Sequence, residues 1–204
     1  MRLLSRRALV KSSALWALAA WPAALWSQQR AVQGSRIPGV QDDPGTRINT
    51  TAVADFLDEV RQSRAFTMEC AQAMPENKYG FRPAQDIRSF GQQMVHIAEA
   101  VPGLFELFIE GKTPPEHTFS EAGQEKFASK ADVLAQLNGG FGYVERAGLT
   151  LRNEALETTV KWFDGRIMTK RRMLRLILDH ATHHRAQSIV YLRLSGFRPP
   201  PYRA

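Results

Sequence analysis

The sequence predicts an all-α fold, a bundle of four helices, from three observations. Apolar residues recur at helical spacing in four separate stretches. Segments rich in proline and glycine divide those stretches. Alternation with a period of two, the mark of a half-buried strand, persists nowhere beyond a few residues.

The first helix is expected to start at Asn49 or Thr50, both good caps, and to carry Phe56, Leu57, Val60, Ala65 and Met68 until Pro75 stops it. A connector punctuated by Pro75, Gly80 and Pro83 follows. Asp86 or Ser89 then opens a second helix with Phe90, Met94, Ile97, Val101, Leu104 and Phe108, which Pro102 and Gly103 are expected to kink. Beyond a loop from Gly111 to Gly123, Ser129 caps a third helix through Val133, Leu134, Leu137, Phe141 and Val144. Three internal glycines weaken it. Thr158–Phe163 reads as a short extended stretch turning at Asp164-Gly165. The fourth helix has the clearest stripe, Met173, Ile177, His180, His184, Gln187, Tyr191 and Leu194, and Gly196 ends it.

Three domain segments follow: a targeting segment over 1–30, a flexible lead-in over 31–48, and the helical domain over 49–204. The last is long enough for one core and leaves no room for a second domain. Of 27 basic residues, five (Arg2, Arg6, Arg7, Lys11 and Arg30) lie in the first thirty, where there is no acidic residue. The remainder carries 22 basic against 20 acidic residues, which argues against nucleic-acid binding through a broad basic face. The basic start of the fourth helix (Lys170, Arg171, Arg172, Arg175) reads as a solvated face. The single cysteine, Cys70, excludes an intrachain disulfide and any multi-cysteine zinc site, so metal binding would fall to histidine and carboxylate.

Ser5-Arg6-Arg7-Ala8-Leu9-Val10-Lys11 is a basic segment followed by an apolar run from Ala14 to Trp26, too short to span a bilayer comfortably. The heptapeptide resembles the twin-arginine export signal, Ser-Arg-Arg-x-Phe-Leu-Lys, with Leu9 and Val10 in its two apolar positions. An ordinary secretory signal shares this layout, and either route implies export to the periplasm or another extracytoplasmic space. No clean Ala-x-Ala cleavage site follows, so a form tethered to the membrane by an uncleaved signal stays open.

His180 and His184, one turn apart, lie ~40° apart on one helix face, close enough for both imidazoles to meet one ion. A third ligand must come from another helix, and His96, flanked by Met94, Val95, Ile97 and Ala98, is the natural candidate. His183 points ~60° from His180 and should lie beside the site, although His180 with His183 remains an alternative pair. His117, between prolines and Phe119, reads as a loop residue. Spacing alone leaves open whether these rings hold a metal or are hydrogen-bonded core histidines.

From Asp179 the chain reads Asp-His-Ala-Thr-His-His-Arg-Ala-Gln-Ser-Ile-Val-Tyr-Leu-Arg-Leu-Ser-Gly-Phe-Arg-Pro-Pro. This resembles the C-terminal hallmark of the DinB/YfiT-like family, His-x-x-His-His-Arg-Gly-Gln followed by Tyr-Leu-Arg and a Gly-x-x-Pro-Pro tail. Upstream, Lys78-Tyr-Gly-Phe-Arg-Pro and Arg88-Ser-Phe-Gly-Gln-Gln-Met-Val-His-Ile-Ala98 resemble that family's entry into its second helix. The resemblance implies an antiparallel four-helix bundle with a long crossover, a homodimer in many members, and a divalent site, zinc or nickel, held by His96, His180 and His184. Gln187 and Arg185 match the hallmark: Gln187 is a candidate to orient a ligand ring, and Arg185 either supports the site or pairs at the surface. Ala186 stands where the family usually has glycine.

Three histidines leave an ion at least one open position, which suits catalysis. The ion could deprotonate a small thiol for attack on an electrophile, as in thiol S-transferases related to this family, or lower the pKa of water for hydrolysis. Export argues against the first, and no carboxylate is visibly placed as a base for the second. The third reading is a protein that binds metal or a small ligand without catalysis. The substrate is unknown.

Overall fold

Thr51 sets the first helix boundary: its extended backbone and its Oγ1, which accepts from the Ala54 N–H at 3.2 Å, start α1 over Ala52–Ala73. The computed structural model describes residues 51–115, 118 and 125–202, so the targeting segment, the lead-in, the expected caps Asn49 and Thr50, and His117 lie outside the described residues. Met74 leaves the helix in an extended conformation ahead of Pro75. The connector is anchored rather than loose. Tyr79 is buried, its hydroxyl donates to the Ala71 carbonyl at 2.7 Å, and the amides of Phe90 and Gly91 donate to the carbonyls of Phe81 and Tyr79.

Of the two candidate starts for the second helix, Ser89 is the cap. Its hydroxyl accepts from the Gln92 amide while the Gln92 side chain accepts from the Ser89 amide, a reciprocal capping box that opens α2 over Phe90–Phe105. Pro102 stays inside α2, and the helix widens into one π-helical turn over Glu106–Glu110 before Gly111 ends it at φ 71°. Ser129 caps α3, Lys130–Gly148. The glycines that weaken α3 in isolation have a packing reason. A Cβ on Gly140 would lie 2.3 Å from the Ala98 carbonyl oxygen, the acceptor that Pro102 leaves without its helical N–H, so the missing side chain lets α2 and α3 approach there.

The extended stretch is a small hairpin. Strands β1 (Thr159–Lys161) and β2 (Ile167–Thr169) pair antiparallel with Val160 opposite Met168, and Gly165 takes φ 89° in the turn. Thr169 then caps α4, Lys170–Leu194, and Gly196 at φ 82° closes it. No helix among the described residues is long and apolar enough to cross a membrane.

Four helices make the expected bundle, with an arrangement that positions the site. Both α1 and α2 pack on α3 and on α4, so α1 sits diagonally across from α2, and α3 across from α4. One continuous core runs between them through Val60, Met94, Val101, Phe105, Phe141 and Ile177. The α2 and α4 faces that meet carry the histidines.

Candidate metal centre

His96 projects from the middle of α2 and is 8% exposed; His184, on α4, is equally buried, and His180 is half-buried one turn before it. The three rings converge. One nitrogen from each lies within 4.8 Å of the others, and His180 Nε2 is 3.2 Å from His96 Nε2. The ring centroids of His96 and His184 are 4.5 Å apart, and those of His180 and His184 are 4.4 Å apart. Among the described residues this is the group of side chains able to hold a metal ion. His183 stands outside it, exposed on the neighbouring face, its ring edge-on to His184.

The electrostatics keep all three rings neutral at physiological pH. Burial, reinforced by the Arg88 charge and then by the other two rings, pushes His96 down to about 3. Burial holds His180 and His184 at about 4. Three unprotonated imidazoles facing one point are a nitrogen donor set with lone pairs available, the set a borderline divalent ion such as zinc accepts.

The outer faces of the rings are also engaged. Glu125 Oε1 lies 3.6 Å from His96 Nδ1, on the side away from the convergence, and its carboxylate is fully buried. Arg88 Nε donates to the same oxygen. At His184, Nδ1 lies 2.7 Å from Gln93 Nε2 and 3.1 Å from Gln187 Oε1; Gln93 also meets Gln187, whose Nε2 is 3.2 Å from His183 Nε2. Which way these amides face decides what His184 can do. With the Gln93 amide donating to Nδ1, the ring proton sits on Nε2 and that nitrogen cannot ligate. With both amides turned over, His183 Nε2–H donates to Gln187, Gln187 donates to Gln93, and Gln93 Oε1 accepts from Nδ1–H. That relay frees Nε2, and metal ligation would select it.

The two further sequence candidates part company here. Gln187 touches His184. Arg185, 100° around α4, turns away to α1, where its guanidinium bonds Ser63 and Thr67, so it neither borders the histidines nor pairs at the surface. Glu125, Gln93 and Arg88 are additions. Gln93 had a signal, since it precedes His96 by three residues on one helix face. Glu125 had none; it stands behind His96 at Nδ1, so the expectation that no carboxylate is placed as a base is not overturned by it.

Other features bear on chemistry. A cavity of about 520 Å³ flanks His184 between Ile87, Val190, Tyr191 and Leu194, whereas a larger one of about 630 Å³ lies between α1 and α4 and touches none of the three rings. Burial pushes the Cys70 thiol up to about 12, which leaves it protonated and poorly nucleophilic.

The model of the DinB family matches residues 48–204. Uncharacterized protein YjoA of Bacillus subtilis is 26% identical over 144 residues, which cover 68% of this chain and 88% of YjoA. The crystal structure of YjoA, a DinB-like protein, superposes with a TM-score of 0.59 at 22% identity, over 72% of this chain and 96% of that one. A DinB-like protein from Bacillus cereus gives 0.61 at 20% identity, over 72% and 95%. YfiT from Bacillus subtilis, described as a probable metal-dependent hydrolase with an unusual four-helix bundle topology, gives 0.57 at 17% identity, over 80% and 94%.

Proposed function

The chain belongs to the DinB family, and on that premise we propose that it is a metalloenzyme of the hydrolase type, acting outside the cytoplasm, with one zinc or nickel ion held by His96, His180 and His184. The observation that carries this reading is the convergence of three neutral imidazole nitrogens within 4.8 Å, supplied by two helices. Bound there, a divalent ion would supply Lewis acidity and an open coordination position. The chain's own residues do the rest. His96 and His180 offer Nε2, the Gln93–Gln187 relay presents His184 through Nε2, and Glu125 backs His96 at Nδ1.

Hydrolysis is favoured over thiol transfer on two grounds. YfiT, similar in fold, is described as a probable metal-dependent hydrolase. Export on the Arg6-Arg7 signal would also separate the protein from the low-molecular-weight thiols of the cytoplasm. A second reading, metal binding without turnover, draws support from the placement of Glu125: it stands behind His96 and so is not placed as a general base on the side where the three nitrogens converge.

Elemental analysis of the purified full-length protein tests the centre. One equivalent of metal is expected in the wild type and in His183→Ala, and none in His180→Ala; metal retained by His180→Ala and lost by His183→Ala would reassign the pair. Turnover of ester or amide substrates by the loaded protein then separates the two readings, and a loaded protein inert towards both classes, and towards thiol plus electrophile, selects the binding role.

A further inference from the structure

Arg185 is more than nine-tenths buried, at 8% exposure, yet its hydrogen bonds run only to neutral groups. Nη1 donates to Ser63 Oγ at 2.9 Å, Thr67 Oγ1 at 3.2 Å and the Ser63 carbonyl at 3.4 Å; Nη2 donates to Thr182 Oγ1 at 3.1 Å. Phe66 adds its ring face, 4.8 Å from the guanidinium carbon. No carboxylate among the described residues pairs with it. A buried charge that lacks a counter-ion is among the costlier features a fold can carry.

The guanidinium keeps donors to spare. Nη2 uses one of its two hydrogens, and Nε–H has no acceptor among the described residues. Among the described residues Ser195 Oγ is the one fully buried side-chain polar atom that has no hydrogen bond. Nε is thus not fully buried, and Arg185 lines the cavity of about 630 Å³ between α1 and α4. Arg61 and Arg175 line it too, against Glu59 and Asp179, which leaves an excess of one positive charge. Phe66, Leu178 and Tyr202 form its apolar wall, with the Tyr202 ring edge-on to Phe66 at 6.5 Å.

We propose that this cavity is a second ligand site, separate from the histidines, that takes a small organic carboxylate with an apolar body. The carboxylate takes the spare donors of Arg185, Nε–H and the second Nη2 hydrogen, in place of or beside Thr182, and the body lies against Phe66, Leu178 and Tyr202. A phosphate dianion fits less well, since it gains nothing from the apolar wall and is repelled by Glu59 and Asp179 at the same cavity. Because His184 and Arg185 face different helices, occupancy here does not require the metal.

The test is a titration of the full chain, freed of metal, with benzoate, benzyl alcohol and inorganic phosphate, following the Arg185 Nε–H cross-peak by NMR. Benzoate is expected to shift that peak saturably and to bind at least about tenfold more tightly than the other two, the scale of a charge-assisted pair. Thr182→Glu, a substitution at an exposed helix position, puts a carboxylate one turn from Arg185 and should weaken benzoate at least about tenfold; Arg185→Lys, which keeps the charge and loses the planar edge, should do the same. An unmoved Nε–H peak, benzyl alcohol or phosphate binding as tightly as benzoate, or unchanged benzoate affinity in Thr182→Glu would each overturn the proposal. The wild-type arm decides even if Arg185→Lys fails to fold.

Discussion

Replacing Glu125 by Gln asks whether the carboxylate behind His96 holds that ring for a metal. A ring that ligates through Nε2 carries its proton on Nδ1, and that N–H needs an acceptor; outer partners of this kind are worth about 10- to 100-fold in metal affinity. Two features put Glu125 at the lower end. Its 3.6 Å separation from Nδ1 exceeds hydrogen-bond length, and Arg88 donates to the same oxygen and offsets part of its charge. The expected loss is about tenfold, or about 1.4 kcal/mol, for Glu125→Gln. Competition against a chromophoric chelator for zinc measures it, with thermal melting of the metal-free protein in parallel. Glutamine keeps the size and an acceptor for Arg88, so the metal-free melt should fall by only a few degrees, about 1 kcal/mol in a domain of this size. Unchanged affinity with a lowered melt would refute the reasoning and make Glu125 a structural lock for Arg88. Complete loss of the metal would refute it in the other direction, by making Glu125 a ligand.

Three further outcomes are expected. Gly140→Ala should lower the melting temperature by several degrees, because a Cβ 2.3 Å from the Ala98 oxygen forces α2 and α3 apart at a cost of about 1–3 kcal/mol, more than the helix-propensity gain of under about 1 kcal/mol; a raised melting temperature would show that the contact relaxes freely. In the metal-free protein, the folded-state values near 3 for His96 and near 4 for His180 and His184 lie below the unfolded value of 6.5, so the unfolded chain takes up these protons first. Stability is therefore full above about 6.5 and lost as pH falls towards 4, by up to about 1.4 kcal/mol per pH unit for each ring. The urea midpoint should drop between pH 7 and pH 5, and more shallowly in His180→Gln; equal slopes would remove the ring from the linkage. Replacing Arg6 and Arg7 with Lys should trap a reporter fusion inside the cell, and unchanged export would point to the general secretory route.

What was legible in the sequence followed from local chemistry. Ser89, Ser129 and the terminal Gly196 announce helix ends through their own hydrogen-bonding and backbone preferences, and the stripe from Met173 to Tyr191 announces a largely buried face, whereas Leu194 at its end is exposed. The i, i+4 spacing brings His180 and His184 together whatever surrounds them. What depended on a second helix was hidden. The glycines of α3 read as a weakness until Ala98 and Pro102 are seen opposite Gly140. Glu125 reaches Arg88 across 37 residues of chain, and no spacing rule covers that. Arg185 could be phased 100° from His184, but only the presence of α1 on that side tells where it goes.

The diagonal arrangement of the helices also dictates an order of assembly. Among consecutive helices only α2 and α3 touch extensively, so they alone can associate as a local hairpin; α1 and α4 must each dock onto that pair from a distance. His180 and His184 ride on the fourth helix of the bundle, 84 residues or more beyond His96. On the proposed reading a nascent chain would meet the ion with a single imidazole until α4 seats, and tightly held metal would mark a bundle whose fourth helix has docked.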